Sequence, residues 1–96
     1  MGLGATSCGK FAELYRMDAT RADEEFIDWV QGFMSGLNMA LLLDKPPGLT
    51  KNLAAKSVKD HQQWMRTYCD QHPLSSVEQG ALQLFFSLPN NPPVHP

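Results

Sequence analysis

Hydrophobic positions along the chain recur at three- and four-residue steps, and no stretch alternates in the manner of a β-strand. The spacing predicts four helices: one from about Ser7 to Met17, one from about Ala22 to Leu42, one that ends at His72 before Pro73, and one within SSVEQGALQLFFSL. The third helix begins at either Thr50 or Ser57, since each residue can cap a helix N-terminus. We therefore expect an all-α fold in which four short helices surround one core.

The second helix carries the widest apolar face, formed by Phe26, Trp29, Val30, Phe33, Leu37 and Leu41. Gly32, Gly36 and Ala40 are spaced four apart and form a smooth strip along another side. Because glycine costs roughly 1 kcal/mol in a helix interior, the strip predicts that another backbone crosses the helix closely there. Asn38 lies in the middle of this helix, where burial would require a hydrogen-bond partner and fix the helix register.

Composition and charge exclude several classes of protein. The chain has 96 residues, enough for one domain, and its hydrophobic fraction of 43% is too high for a disordered polymer. The formal net charge is −2, and lysine and arginine are scattered singly, so no basic stripe for nucleic acid is present. The longest apolar run, MALLL, is far shorter than the roughly 20 residues of a membrane span. We expect neither a nucleic-acid partner nor a membrane span.

The first residues, MGLGATS, match an N-myristoylation pattern through Gly2 and Thr6, but they have neither the basic start nor the apolar block of a signal peptide. The favoured interpretation is that Met1 stands where a signal peptide has been removed. The predicted organisation is a disordered N-terminus over residues 1–6, a helical domain over 7–88 and a disordered, proline-rich tail over 89–96.

Two cysteines, Cys8 and Cys69, allow three interpretations. A disulfide between them would close a long loop and imply an oxidising compartment. Alternatively, both are buried thiols that act as small apolar residues. The third interpretation is copper(I) bound by Met65, Cys69 and His72, which requires Cys69 to be unpaired.

The chain offers few candidates for catalysis. Ser57, Asp60 and His61 contain the residue types of a hydrolase triad, but on one helix they diverge instead of converging. A helix cap formed by Ser57 and Asp60 is the favoured interpretation. The acidic residues Asp23, Glu24, Glu25 and Asp28 are expected to lie near the helix start and to complement the helix dipole. We expect no enzyme activity, no metal and no cofactor.

Three segments, SCGKFAEL, FIDWVQGFMSGLN and WMRTYCDQHPLSSVEQGAL, resemble the HdeA/HdeB-like family of small periplasmic proteins. The resemblance spans about Ser7 to Leu88. Its matching features are Cys8 at the start of the first helix, Trp29 and Gly32 three apart, Asn38 beyond them, Cys69 late in the third helix, and Pro73.

This resemblance implies an all-helical fold with one disulfide, here Cys8 to Cys69, in a mature periplasmic protein. Its best-known members are acid-stress chaperones that are dimers near neutral pH and bind unfolding clients through apolar surface that acid exposes. For this chain it predicts a non-enzymatic protein, capable of homodimerisation, with client contact carried by Phe33, Met34, Leu37 and Leu41. The alternative function is a periplasmic immunity protein that binds and inhibits a secreted toxin.

Overall fold

Four helices form the framework of the computed structural model, which describes residues 2–92. They are α1 (Cys8–Met17), α2 (Ala19–Leu43), α3 (Val58–Gln71) and α4 (Val77–Ser87). Two 3-10 turns, Gly2–Ala5 and Leu53–Ala55, lie outside them. The only β-type pairing among these residues is two isolated bridges, Ser7 with Ser76 and Lys51 with Asn90. The prediction of an all-α, four-helix fold is confirmed.

Serine side chains cap the starts of α1, α3 and α4. The Ser7 hydroxyl accepts a hydrogen bond from the Lys10 amide at the start of α1. Ser57 and Asp60 form a capping box at α3, which identifies Ser57 as the cap rather than Thr50. At α4 the capping box is formed by Ser76 and Gln79. Each cap satisfies backbone N–H groups that have no partner within the helix.

Helix α2 begins three residues earlier than the sequence predicts. Asp18 caps it by accepting a hydrogen bond from the Arg21 amide. After one α-helical turn, the segment Asp23–Ile27 widens into a π-helical turn before the regular α-helix resumes at Asp28. In the π turn, Asp23 accepts a hydrogen bond from the Tyr15 hydroxyl at 2.7 Å, which ties α1 to α2.

The core lies where all four helices meet. Its fully enclosed side chains come from every helix and include Phe11, Phe26, Val30, Met34, Met65, Val77 and Leu84. The edges of the Phe11 and Phe26 rings meet at a centroid distance of 5.0 Å, so aromatic packing joins α1 to α2. The disulfide between Cys8 and Cys69 joins α1 to α3 within this core.

Both ends of the described chain make hydrogen bonds, where the sequence analysis placed disordered segments. The Val77 amide donates to the Thr6 carbonyl at 2.8 Å, so the N-terminal turn supplies a partner that α4 lacks at its start. The Asn91 amide donates to the Thr50 carbonyl at 2.8 Å, which fastens the start of the tail to the loop before α3. Met1 and residues 93–96 of the predicted tail lie outside the described residues.

The molecule is elongated, with extents of 49 × 25 × 21 Å. A helix of 25 residues spans about 37 Å, so α2 is long enough to account for most of the longest dimension. Among the residues described, α2 is the one helix long and apolar enough to cross a membrane, with a mean hydropathy of 1.2 over its most apolar 18 residues. Of that window, 22% is buried, so much of an apolar helix lies at the surface.

Candidate functional site

The last two turns of α2 are apolar on all sides except at one residue. From Leu37 to Leu43 the single polar residue is Asn38. In a soluble protein, a helix that is hydrophobic on all sides is normally enclosed by other elements. Here Met39 is 56% exposed and Leu43 is 72% exposed.

Further apolar residues of α4 and of the following loop lie at this end of α2, and we call the whole set the distal apolar surface. Its members are Leu37, Met39, Ala40, Leu41, Leu42 and Leu43 of α2, Leu82 and Phe86 of α4, and Leu49 of the following loop. Phe86 is 59% exposed although it is a large aromatic side chain. Exposed apolar side chains that cluster in this way are typical of interaction sites, whereas scattered ones are not.

A groove between α2 and α4 crosses the distal apolar surface. It has a volume of about 200 Å³ and is lined by Leu37, Ala40, Leu41, Asp44, Leu82, Phe85 and Phe86. Asp44 is the one charged residue in this lining, so the groove suits an apolar side chain. Its size is that of one or two such side chains rather than of a cofactor, since small-molecule sites usually occupy about 300 Å³ or more.

The four residues predicted to contact a partner do not lie together on the surface. Met34 is fully buried in the core. Phe33 is half-buried and stacks on Trp29, with the ring centroids 5.0 Å apart. Leu37 and Leu41 line the groove and also pack against the core.

Five exposed members of the surface lie outside the four predicted contact residues: Met39, Leu42, Leu43, Leu49 and Phe86. A signal for some of them was present, because the run MALLL cannot direct all five residues to the core from one α-helix. The four predicted contact residues share a three- and four-residue spacing, which identifies the side of the helix that faces the core.

The loop after α2 folds back over the end of that helix. The Gly48 amide donates to the Leu41 carbonyl at 2.9 Å, and the side chain of Leu41 leaves no room for a β-carbon at Gly48. Asn38 makes two hydrogen bonds to the backbone of Lys51. These contacts satisfy Asn38, as predicted, and hold the loop against one side of α2.

Within residues 2–92, no other segment crosses the strip of small residues on α2. A β-carbon placed on Gly32 or Gly36 would meet no atom within 4 Å. The close crossing that the sequence predicts is therefore absent within the described chain, and the strip is exposed beside the distal apolar surface.

In the structure, His61 makes its side-chain contact away from Ser57 and Asp60, the other two residues of the apparent catalytic triad. The Ser57 hydroxyl accepts from the Asp60 amide at 3.1 Å, and the Asp60 carboxylate accepts from the Ser57 amide, as the capping interpretation predicts. The His61 ring points elsewhere, and its Nδ1 atom lies 2.7 Å from Oε1 of Gln31 on α2. Burial lowers the pKa of His61 below the usual value, with a smaller opposing influence from Asp60.

The cysteines form a disulfide with their Cα atoms 4.6 Å apart, so the disulfide interpretation is confirmed. The alternative of buried free thiols is wrong, since neither cysteine is free. The copper(I) interpretation is also wrong, because it required an unpaired Cys69. Within residues 2–92 no group of three or more histidine, cysteine or acidic side chains is placed to hold a metal ion.

The acidic residues of α2 stand in different environments. Asp23 is partly buried, and Tyr15 donates to it, whereas Glu24, Glu25 and Asp28 are exposed. Glu25 pairs with Arg21 at 3.0 Å on the helix surface. Burial raises the pKa of Tyr15, and the neighbouring Asp23 carboxylate raises it further.

Comparisons with protein-family models, with curated proteins and with solved structures find no match for this chain. The HdeA/HdeB-like resemblance therefore stays a prediction drawn from the sequence.

Proposed function

We propose that this chain is an exported, non-enzymatic helical protein of the HdeA-like type, which binds unfolding protein clients in acid. The observation that carries the proposal is the distal apolar surface, where Met39, Leu43 and Phe86 are each more than half exposed. Unfolding clients expose apolar side chains, and burial of two apolar surfaces against each other releases about 25 cal/mol per Å².

The side chains of this surface suit variable clients. Met39 is unbranched and polarizable, so it adapts to partners of different shape. The groove adds a shallow, apolar recess for an inserted side chain. Neither feature requires a particular sequence in the partner. This tolerance is what a chaperone with many clients requires.

Acid supplies a reason for binding to increase. Protonation of the ten carboxylates would change the formal charge from −2 to about +11, counting eight lysines and arginines and three histidines. Repulsion among these charges loosens the helices and adds core side chains such as Met34 to the binding surface. The disulfide keeps α1 attached to α3 in the loosened state.

The disulfide also supports a location outside the cytosol. Structural disulfides persist in oxidising compartments and are rare where thiols are kept reduced. We place the protein in the periplasm, consistent with the family that its sequence resembles.

The proposal is tested by mixing the oxidised protein with an enzyme that aggregates when it unfolds, at about pH 2 to 3, and following light scattering. Suppression of scattering in acid, with much weaker suppression at pH 7, is the expected result. Aggregation that proceeds unchanged at every ratio of the two proteins would rule out the chaperone function.

A second candidate function is a periplasmic immunity protein that inhibits a secreted toxin. The observation that favours it is that the distal apolar surface is already exposed in the folded state and needs no acid to form. A tight one-to-one complex at neutral pH with a toxin encoded beside this protein would support it. If that toxin remains fully active when an excess of this protein is present, the immunity function is excluded.

A further inference from the structure

His61 is the one polar side chain that is fully buried among the described residues, with 1% of its surface exposed. It lies in the first turn of α3 and faces α2. Burying the charged form of a titratable side chain is costly unless the charge is compensated. The surroundings of this ring therefore decide how the fold responds to acid.

Neutral His61 fits its site through one hydrogen bond. Gln31 presents its carbonyl oxygen at 2.7 Å, so the ring carries its proton on Nδ1 and donates it to Gln31. The second ring nitrogen, Nε2, is buried and has no hydrogen-bond partner among residues 2–92. The Gln31 contact joins the middle of α2 to the start of α3.

Protonation would make the same site unfavourable in three ways. The ring would acquire a positive charge in a buried position. Its Nε2 atom would become an N–H donor with no acceptor nearby. In addition, the first turn of α3 presents the positive end of the helix dipole, which disfavours a cation.

The charges around the ring do not offset this cost. From α2 the ring faces the neutral Gln31, and the nearest acidic residue before it on that helix, Asp28, is exposed. Asp60, adjacent in α3, favours the protonated ring, whereas Lys56, just before α3, opposes it. Asp60 is also exposed and engaged with the Ser57 amide.

We propose that His61 is the acid-sensitive contact of this fold: its protonation separates α3 from α2 and uncovers the inner side of α2. Met34 lies three residues after Gln31 and Met65 lies four residues after His61, and both are fully buried. Opening of this contact would expose these methionines beside the distal apolar surface. The consequence for client binding rests on the proposed function, whereas the acid sensitivity itself does not.

The direction of the pH effect follows from proton linkage. Because the folded pKa of His61 is lowered, the unfolded state binds the extra proton first as pH falls. The contribution of His61 to stability is complete above about pH 6.5, the usual histidine pKa, and is lost progressively as pH falls below it. Over that range one proton makes the unfolding equilibrium constant rise by up to tenfold per pH unit.

The test compares urea unfolding of the oxidised wild type and His61→Gln from pH 7.5 to 5.0, followed by tryptophan fluorescence. The wild type should show an extra rise of up to tenfold per pH unit in its unfolding constant below about pH 6.5, and the variant should lack it. His72→Gln is the matched control, because it removes an exposed histidine just after the same helix and should leave the extra rise caused by His61 in place. Parallel profiles for the wild type and His61→Gln would overturn the proposal.

Gln31→Glu keeps the test decisive if His61→Gln does not fold. A carboxylate in place of the Gln31 amide would stabilise the protonated ring, so the acid loss should be smaller than in the wild type. An unchanged or steeper loss would contradict the proposal. The two proposals can fail separately. If stability depends on pH through His61 but the protein does not affect client aggregation, the acid-sensitive contact is supported and the chaperone function is rejected.

Discussion

Asn38 holds the backbone of Lys51 by two hydrogen bonds. Its side-chain nitrogen donates to the Lys51 carbonyl at 2.9 Å, and its side-chain oxygen accepts from the Lys51 amide at 2.8 Å. The same carbonyl also accepts from Asn91 at 3.0 Å. The side-chain amide of Asn38 therefore connects the apolar end of α2 to the loop before α3. Asn91 connects the start of the tail to the same loop.

Replacing Asn38 with alanine should lower the free energy of unfolding by about 1–3 kcal/mol. Two hydrogen bonds are lost, and the partly buried Lys51 amide is left without its acceptor. Urea unfolding at pH 7 measures the change, with Ser35→Ala as a control at an exposed position of the same helix. Equal stabilities of Asn38→Ala and the wild type would show that the loop is not held by this contact.

The Cys8–Cys69 disulfide should be a major source of stability. The two cysteines are 61 residues apart, and a loop of that length is expected to contribute about 4 kcal/mol in the chain-entropy model. The double variant Cys8→Ser with Cys69→Ser should therefore unfold at much lower urea concentration than the wild type. A thiol assay on unfolded, unreduced wild type should detect no free thiol, and two thiols per chain would contradict the disulfide.

The sequence predicted the helices well because their signals are local. Ser57 with Asp60, and serine at the start of α4, are recognisable caps, and Pro73 limits α3. The start of α2 was misplaced because Thr20 and Asp23 also resemble a helix start. The π turn at Asp23–Ile27 has no comparable sequence signal.

The candidate site was only partly predictable, because exposure depends on how the helices are arranged. Apolar spacing placed Met34 among the contact residues, yet the same spacing is what directs Met34 into the core. Phe86 joins the surface only because α4 packs beside α2 and leaves this ring uncovered. The bond between His61 and Gln31 joins residues 30 apart in sequence, and no local pattern announces it.

Two glycines should respond to alanine substitution in opposite directions. A β-carbon on Gly80 would lie 2.9 Å from Cε of Met65 and 3.0 Å from Cδ2 of Tyr68, so both side chains of α3 would have to shift. We expect Gly80→Ala to lower stability by about 1 kcal/mol, since overpacking outweighs the gain in helix propensity.

Gly36→Ala should instead raise stability by about 1 kcal/mol, because its β-carbon would enter open space. Thermal unfolding and sedimentation of both variants provide the measurement. A loss of stability in Gly36→Ala that accompanies a loss of self-association would mean that a second copy covers this side of α2.

The distal apolar surface should be necessary for client binding and dispensable for folding. Met39→Lys and Leu43→Lys place a charge that persists in acid at exposed positions, so each should change stability by about 0.5 kcal/mol or less. Their ability to suppress client aggregation at about pH 2 to 3 should fall severalfold. Leu74→Lys is the matched control, since Leu74 is 99% exposed but lies in the turn between α3 and α4. Equal losses in all three variants would mean that added charge, and not this surface, controls binding.

Tyr15 should make the protein sensitive to alkali. Burial, followed by the Asp23 carboxylate, raises the pKa of Tyr15 above the ordinary value of 10.0, and the neutral hydroxyl donates to Asp23 at 2.7 Å. Since the folded pKa is raised, the contribution of this hydrogen bond to stability is complete below about pH 10. It is lost as pH rises further, because an ionised phenol cannot donate and repels the carboxylate.

Tyr15→Phe should lower the free energy of unfolding by about 1 kcal/mol at pH 8. The variant should also lack the part of the stability loss above pH 10 that Tyr15 causes. Urea unfolding between pH 8 and 11.5 measures both effects, and Tyr68→Phe, which removes the other tyrosine, should retain the alkaline loss due to Tyr15. If Tyr15→Phe and the wild type lose stability in parallel above pH 10, the bond between α1 and the π turn does not govern the alkaline response.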